Sequence, residues 1–475
     1  MLYIKDIKRY LNCPRLFYYD KFIERVVGFS YFRINLEIAN LGIDKLNIDH
    51  YYLGKQNDSS LSAISNINNY KWFVKARFEY QGLRVKIPFI KREADGLIVY
   101  FVDMSTSVKI SELNYYAYHI WVLKKLNLHI KDIKVLYFNK DYIRDGRIDG
   151  SEILKISSKF DSVRYNNIYD LINRKNIDLS AIIKVINSIT IDSDIKRKYK
   201  FYSKNCHICP IYSYCFKPIN YDSIFTMRSL KDKVKLYNKG ITTINQLHNI
   251  SFNSVLSAQY LANINNGYYI DKTKIRNFFK SFNRPLVFID FEWEQYLLPP
   301  YDHMKVNDII TFQYSLHILY SYDQIVHKEY LGKKDCRYDI IDHLINDIPD
   351  NGTFIAFNAY GAERLRLLEF IKLAPKYQDK LQYIIDNLYD ISKVFNNGWF
   401  YHQAMLGSYS LKSISSALDL FKYKDVDSAL LALDIYRNIE YGNNNHQQID
   451  KLKQYCFNDS YALLLLYQYL SNLIK

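Results

Sequence analysis

No run of eighteen or more apolar residues occurs in this 475-residue chain, which excludes a membrane-spanning helix. Nothing at its start has the pattern of a signal peptide, so a secreted disulfide framework is not expected and a cytoplasmic setting is. There is no internal repeat and no low-complexity tail. The one markedly polar stretch, Tyr441-Gly442-Asn443-Asn444-Asn445-His446, reads as a surface loop. Cysteine is scarce, six in all, and Asp and Glu number 49 against 64 Lys and Arg. What remains is a chain of 49% hydrophobic residues, long enough for two or three well-cored domains.

The excess of positive charge is unevenly placed. Residues 1–283 hold 45 basic and 25 acidic side chains, whereas residues 284–475 hold 19 and 24. A basic part joined to an acidic part suits a module that grips a polyanion attached to one rich in carboxylates, although a lysine-rich solvated surface has the same composition.

Four of the six cysteines form a pattern. Cys13 lies in Leu11-Asn12-Cys13-Pro14-Arg15-Leu16-Phe17-Tyr18-Tyr19, and Cys206, Cys209 and Cys215 form a C-x2-C-x5-C run flanked by Pro210 and Pro218. Thiolates so distant in sequence must meet in space if they share a metal, and such a chelate supplies folding energy directly. Four sulfur ligands suit an iron–sulfur cluster or zinc, and spacing alone does not separate the two. Cys336 and Cys456 have no such neighbours and read as structural thiols.

The cysteine pattern resembles that of the RecB-like nucleases, including the CRISPR-associated RecB-like exonucleases, in which an early Cys-Pro-Arg joins a late C-x2-C-x5-C. The resemblance implies an N-terminal domain over 1–220 with a PD-(D/E)xK restriction-endonuclease-like fold and a 4Fe-4S cluster on Cys13, Cys206, Cys209 and Cys215. Tyr70–Ile90 and Asp95–Val102 read as strands and Leu113–Leu126 as a helix. Such nucleases place an acid after one strand and (D/E)-x-K on the next, which by resemblance falls on Asp95 and Asp103. Ser105 then stands where the lysine belongs, with Lys109 further along. That lysine stabilises charge on the phosphate, so its loss implies a domain that binds nucleic acid without cutting it.

Residues 221–283 read as a helical connector. Within it Leu230–Tyr237, Lys239-Gly240-Ile241-Thr242-Thr243 and Ile244–Leu247 give helix, glycine turn and helix, similar to helix-hairpin-helix elements whose turn amides bind phosphate.

A further unit opens at Arg284-Pro285. Leu286–Glu292, Ile309–Ile318, Gln324–Tyr330 and Phe354–Phe357 read as strands; Gly361–Leu373, Gln378–Asn387, Leu411–Leu418 and Ile449–Leu473 read as helices. Asp290 and Glu292 stand at i and i+2 on the first strand, so both point to one face at the end of a buried run. Paired carboxylates are unfavourable without a cation, and Phe288–Glu294 contains no basic residue, so a divalent metal is the natural partner. Tyr455 and Asp459 share one helix face at i and i+4.

This set resembles the DnaQ-like, DEDD-type exonucleases of the ribonuclease H fold, in the branch whose last motif is Y-x3-D. The resemblance assigns Asp290, Glu292, Glu363 and Asp459 to metal binding (Mg or Mn) and Tyr455 to orienting the attacking water. Glu363 stands five residues after Asn358, wider than the family's usual spacing, and Asp390 is the substitute acid. Two ions about 4 Å apart would clamp the scissile phosphate. The order of parts, with Pro300-Tyr301-Asp302-His303 and Phe312-Gln313-Tyr314-Ser315-Leu316-His317, resembles an uncharacterised prokaryotic family that fuses the two domain types.

The function expected is a 3′–5′ exonuclease of the 284–475 domain acting on DNA, with the basic N-terminal domain binding nucleic acid and RNA the less favoured substrate. Catalysis at Asp95 and Asp103, or a non-catalytic nucleic-acid-binding scaffold, are the alternatives.

Overall fold

The computed structural model describes residues 1–25, 32–162, 167–196, 198, 206, 209–216, 218–247, 252–265, 267–422, 429–440 and 446–475. The chain divides into two units, Met1–Phe216 with Tyr296–Asp308, and Lys217–Gln295 with Ile309–Lys475. Among the described residues no helix is long and apolar enough to cross a membrane.

In the first unit, Gln81 and Gly82 both take positive φ, 51° and 79°, and turn the apolar run back on itself. Two successive left-handed residues match the twist of antiparallel strands, so the stretch expected as strand folds as a hairpin of β3 (Trp72–Tyr80) and β4 (Leu83–Glu93). A second hairpin leads to β5 (Gly96–Val102), and the helix Leu113–Lys125 carries the chain over to β6 (Ile130–Phe138), parallel to β5. With β1 (Leu2–Tyr3), β2 (Tyr51–Leu53) and β7 (Leu154–Ser157) the sheet has seven strands in the order β2-β3-β4-β5-β6-β7, β1 pairing with β4.

Side chains alternate along β5. Val99 and Phe101 meet Tyr116, Ile120 and Leu123 of the helix, while Ile98 and Tyr100 face Trp72, Val74, Leu136 and Phe138. That second face is completed by Leu297, Leu298 and Val306, from the excursion Tyr296–Asp308. Arg144 fixes the excursion by donating to the carbonyls of Pro299, at 2.9 Å, and Pro300, and Asp302 accepts from the Gly146 amide at 2.8 Å. The Pro300–His303 stretch is thus a docking turn.

The second unit is built on a five-stranded sheet of β9 (Leu286–Gln295), β10 (Ile309–Leu319), β11 (Ile325–Leu331), β12 (Thr353–Ala356) and β13 (Leu388–Asp390). Their order is β11-β10-β9-β12-β13; β10 runs against both neighbours, and β12 is parallel to β9 and β13. The helices Asp339–Asp347, Glu363–Leu373 and Gln378–Asp386 cover one face, and His446–Ile474 packs on the other.

Residues 221–283, expected as a connector, cluster with this second unit. Ala258, Ala262 and Ile275 share its core with Phe288, Ile355 and Leu466, and β8 (Tyr268–Ile270) pairs with β14 (Phe400–His402). The helix-hairpin-helix expectation needs correction. Lys233–Asn238 is a helix, but only a single 3-10 turn, Ile244–Gln246, follows. The turn amides are also spent within the protein. Gly240 N donates to Tyr237 O at 3.0 Å and Ile241 N to Leu236 O at 3.1 Å. Thr242 N and Thr243 N both donate to Gln246 Oε1, at 2.8 and 3.1 Å, so no donor is left for phosphate. Of the loop expected at Tyr441–His446, residues 441–445 lie outside the described residues.

Candidate functional site

β12 pairs with β9 only from Leu286 to Phe288, and beyond that point β9 continues with β10 alone. The chain leaves β12 through Asn358, at φ 60°, in a turn closed by Gly361 N donating to Asn358 O at 2.9 Å. A side chain at Gly361 would come within 2.8 Å of the Asn358 amide group, which would have to swing aside. Parallel strands whose connections depart in opposite directions leave a crevice at their carboxyl ends. Asp290 and Glu292 sit on β9 where it runs beyond β12.

Opposite them runs the helix His446–Ile474. Its register on the sheet is set by a buried polar seam. Gln313 Nε2 donates to Leu452 O at 3.2 Å, Ser315 Oγ and Ser460 Oγ lie 2.7 Å apart, and His317 Nδ1 is 2.9 Å from Ser460 Oγ. This places Asp459 so that one ligand atom each from Asp290, Glu292 and Asp459 lie within 4.8 Å of one another. Asp459 is buried, and Asp290 and Glu292 keep partial exposure.

The electrostatics is that of an anionic cage. Burial first, then Asp459, Glu292 and Glu363, raise the proton affinity of Asp290 well above the carboxylate range. Glu292 shifts upward through burial, Asp459 and Glu363, with Lys412 opposing. Glu363, at the start of Glu363–Leu373, stands outside the group of three yet bears on two of its members. It is 3% exposed, its Oε2 has no hydrogen-bond partner among the described residues, and burial pushes its carboxyl up to about 8. Four crowded carboxyls, one with an orphaned buried oxygen, fit a divalent cation, because hard oxygen donors and missing positive charge are what such an ion requires.

The substitute acid, Asp390, accepts from the amides of Asn358, at 2.9 Å, and Ser392, at 3.0 Å, and so braces the turn beside the site.

Tyr455 is 4% exposed, and its hydroxyl accepts from Lys412 Nζ at 3.1 Å, the ammonium lying 4.3 Å from the ring centre. Burial and the nearby Glu292, Asp459 and Asp290 push the phenol far upward, so it keeps its proton. Three partners escaped the sequence reading. Lys412 opens the helix Leu411–Ala417, and no spacing links it to the acids 120 positions away. Cys456, read as a structural thiol, has its Sγ 3.4 Å from Asp290 Oδ2. Glu294, the third acid on that strand face, forms a two-pronged pair with Arg437 at 2.8 and 3.0 Å, from the unforeseen helix Ala429–Glu440. The expectation that the strand has no protein cation is therefore corrected for Glu294, and Lys412 partly offsets Glu292.

The first unit does not bring its two candidate acids together. Asp95 occupies the tip of the β4–β5 turn, paired with Lys131 at 2.8 Å, and Asp103 follows the far end of β5. A seven-residue strand separates them by roughly 25 Å. Burial raises the Asp103 carboxyl, with Lys109 and Lys8 opposing, while Ser105 donates to Ser107 O at 2.5 Å.

Three of the four cysteines come near one another. Cys13 stands between the helices Ile4–Asn12 and Pro14–Tyr18, and Cys209 N donates to Cys206 O at 3.1 Å. Burial raises the Cys209 thiol, and Cys13 and Cys206 lie close enough to add to that rise. Arg15 lies 5.0 Å over the Tyr214 ring and Tyr19 packs on it at 4.9 Å. Among the described residues the cysteines do not form a group of three at metal-ligand spacing.

Among known proteins, residues 287–410 match a family model described as "Domain of unknown function (DUF2779)". That segment holds Asp290, Glu292, Glu363 and Asp390 and ends before Lys412, Tyr455 and Asp459. The chain is also similar to "Uncharacterized protein MG366" of Mycoplasma genitalium, 28% identical over 154 residues, a stretch covering 29% of this chain and 23% of that relative. No solved structure matches.

Proposed function

We propose that the chain is a metal-dependent nuclease whose second unit removes nucleotides from a DNA 3′ end. The observation that carries this reading is the convergence of Asp290, Glu292 and Asp459 within 4.8 Å, from a strand and from a helix 167 residues later, with Glu363 beside them. The strand order β11-β10-β9-β12-β13 with only β10 reversed supports a ribonuclease H-like scaffold. The β3–β4–β5 meander, helix and parallel β6 likewise support a restriction-endonuclease-like first unit, here read as binding only, since Asp95 and Asp103 stand apart.

Bound Mg or Mn would supply the positive charge that draws a phosphodiester to the carboxylates and offsets charge on the leaving oxygen. The residues do the rest. Asp290, Glu292, Glu363 and Asp459 hold that charge in place. Tyr455 keeps its proton and, with its oxygen already accepting from Lys412, offers its own O–H to the water that attacks phosphorus. Water adds to phosphorus as the bond to the 3′ oxygen breaks; one proton of the water ends, by way of solvent, on the departing 3′ oxygen, and the other ionises from the new terminal phosphate. The proposed 4Fe-4S cluster on Cys13, Cys206, Cys209 and Cys215 is structural: its thiolates tie the two ends of the first unit together.

The test is digestion of a 5′-labelled single-stranded DNA with Mn²⁺ by anaerobically purified protein, beside Asp290→Ala and Asp103→Ala. A ladder shortened from the 3′ end, lost only in Asp290→Ala, is expected. A ladder that survives Asp290→Ala, or none with either DNA or RNA, overturns the assignment.

A further inference from the structure

β3 changes character halfway along. Trp72 and Val74 on one sheet face are buried with Phe89 and Tyr100. Lys75 then takes φ 54°, a left-handed conformation within a strand, and the pairing skips from Val74↔Phe89 to Ala76↔Ile87. The register is the same on both sides, so Lys75 falls opposite Pro88 and no residue is extra; what breaks is the alternation, Phe73 and Ala76 sharing one core while Trp72 and Val74 share the other. Left-handed backbone is costly for a residue with a Cβ, and such strain gathers where a side chain has work to do. Beyond Lys75 that face carries Arg77 opposite Lys86 and Glu79 opposite Arg84.

The two arginines are held rigidly. Arg77 Nη1 donates to Gly54 O at 2.6 Å and Lys75 O at 3.2 Å; Arg84 Nη2 donates to Gln56 O at 2.6 Å and Asp58 O at 2.7 Å. The loop supplying these carbonyls reaches Lys75 only because residue 54 is glycine, since a Cβ there would come within 2.3 Å of Lys75 O. Asp58 is engaged by the Tyr52 hydroxyl at 2.6 Å and the Lys55 amide at 2.7 Å. Among the described residues neither Lys75 Nζ nor Lys86 Nζ has an ion-pair partner. Four cations are thus crowded on one strand pair, the two arginines pre-set by backbone contacts, and with Glu79 and Asp58 beside them they still leave a net positive face. Burial, then Arg77 and Lys75, hold the Lys86 ammonium below its ordinary range, as mutual repulsion requires. Tyr3, 47% exposed, is the register partner of Arg84 and sets an aromatic face beside the cations.

We propose that the outer face of the β3–β4 hairpin, built from Lys75, Arg77, Arg84 and Lys86, binds the phosphodiester backbone of single-stranded nucleic acid. Spaced cations with an adjoining aromatic match a flexible polyanion whose bases can stack, better than they match a smooth acidic protein surface. The site lies wholly within the first unit and deepens the proposed nuclease reading by naming where substrate is held. Its test needs no cleavage, so it fails or succeeds apart from that reading.

The measurement is fluorescence anisotropy of labelled dT20 with the full chain in EDTA, across a salt series. Lys75→Gln/Lys86→Gln spares the arginines that hold the loop. It is expected to weaken binding about 20-fold at 0.1 M salt and to flatten the salt slope by about 1.4, two phosphate contacts on a single strand. Lys75→Arg/Lys86→Arg is expected to keep both affinity and slope. Unchanged binding in the Gln pair overturns the proposal. So does equal weakening in the Gln and Arg pairs, which would mean that the lysines act through the fold. Competition by polyglutamate as effective as that by unlabelled dT20 would also overturn it, in favour of an acidic protein partner.

Discussion

Lys412 decides what Tyr455 can do. A phenol oxygen that accepts from an ammonium at 3.1 Å has its own hydrogen left to give, and three carboxylates nearby keep that hydrogen bound. Removing the ammonium frees the hydroxyl to turn toward Glu292 or Asp459 and away from the water. A hydrogen bond to a charged group contributes about 1.5–3 kcal/mol, so Lys412→Met is expected to lower single-turnover cleavage roughly 10- to 100-fold. Apparent substrate affinity should change little, and Lys412→Arg should recover part of the rate. A loss confined to KM would assign Lys412 to substrate binding. Asp290 carries a second expectation. Its folded-state proton affinity is raised, so above the ordinary carboxylate range the native state holds a proton that the unfolded chain releases. Stability of the metal-free protein is then present at low pH and lost as pH rises through the folded value. Asp290→Asn removes that loss, and thermal melts at pH 8 in EDTA should show the variant about 3 °C higher. Wild type should gain from added Mn²⁺ and the variant should not.

The 29-residue helix His446–Ile474 is the element on which the site depends, and its buried seam rather than its apolar face fixes its register. Ser460 is central: its Oγ lies 2.7 Å from Ser315 Oγ and 2.9 Å from His317 Nδ1. Ser460→Ala strands His317 Nδ1, while Ser315 keeps His327 Nε2 at 3.0 Å; the cost is about 1–3 kcal/mol, read as a lower urea midpoint, and the change slackens the geometry of Asp459 one residue away. Unchanged stability would show that the seam is dispensable. Elements of this kind were legible where their sequences are periodic. β9, β10, β11, β12 and the helices 363–373, 378–386 and 411–417 lie within a few residues of expectation, because alternation and 3.6-residue spacing reflect burial directly. β13 was not legible: three residues at the sheet edge have too little pattern to distinguish them from the end of the preceding helix. Asp290, Glu292 and Asp459 were legible as a set, since a strand and a helix each present their acids on one face. Arg437 and Lys412 were not: Arg437 pairs with Glu294 across 143 residues and Lys412 donates to Tyr455 across 43, and contacts so distant leave no local trace. The left-handed backbone within β3 was equally hidden, as Lys75 stands in an otherwise ordinary strand sequence.

At the scale of the whole molecule, each unit has its own core and its own buried histidine. His119 is 4% exposed in the first unit, its Nδ1 donating to Tyr115 O at 2.8 Å, and burial lowers it to about 4. His317, 3% exposed in the second unit, is lowered to about 3 by burial and by His327. For both, the unfolded chain takes up a proton near pH 6.5 that the folded unit refuses until far lower. Between those values the unfolded state binds more protons, so stability rises with pH and is lost as pH falls below 6.5. The loss is about 1.4 kcal/mol per pH unit for each histidine, or about 2 kcal/mol per unit of the protein by pH 5. A chain with two separate cores need not unfold in one step. Calorimetry from pH 7 to pH 5 is therefore expected to show the first unit lose stability through His119. In the metal-free second unit the raised carboxyls of Asp290, Glu292 and Glu363 take up protons over the same range and oppose His317. His119→Phe should flatten the response of the first unit while leaving the second unchanged. His317→Gln, which keeps a polar partner for Ser460, should make the second unit gain more on acidification and leave the first unchanged. If both substitutions act on the same transition, the two cores unfold together, and the division into units describes packing without independent stability.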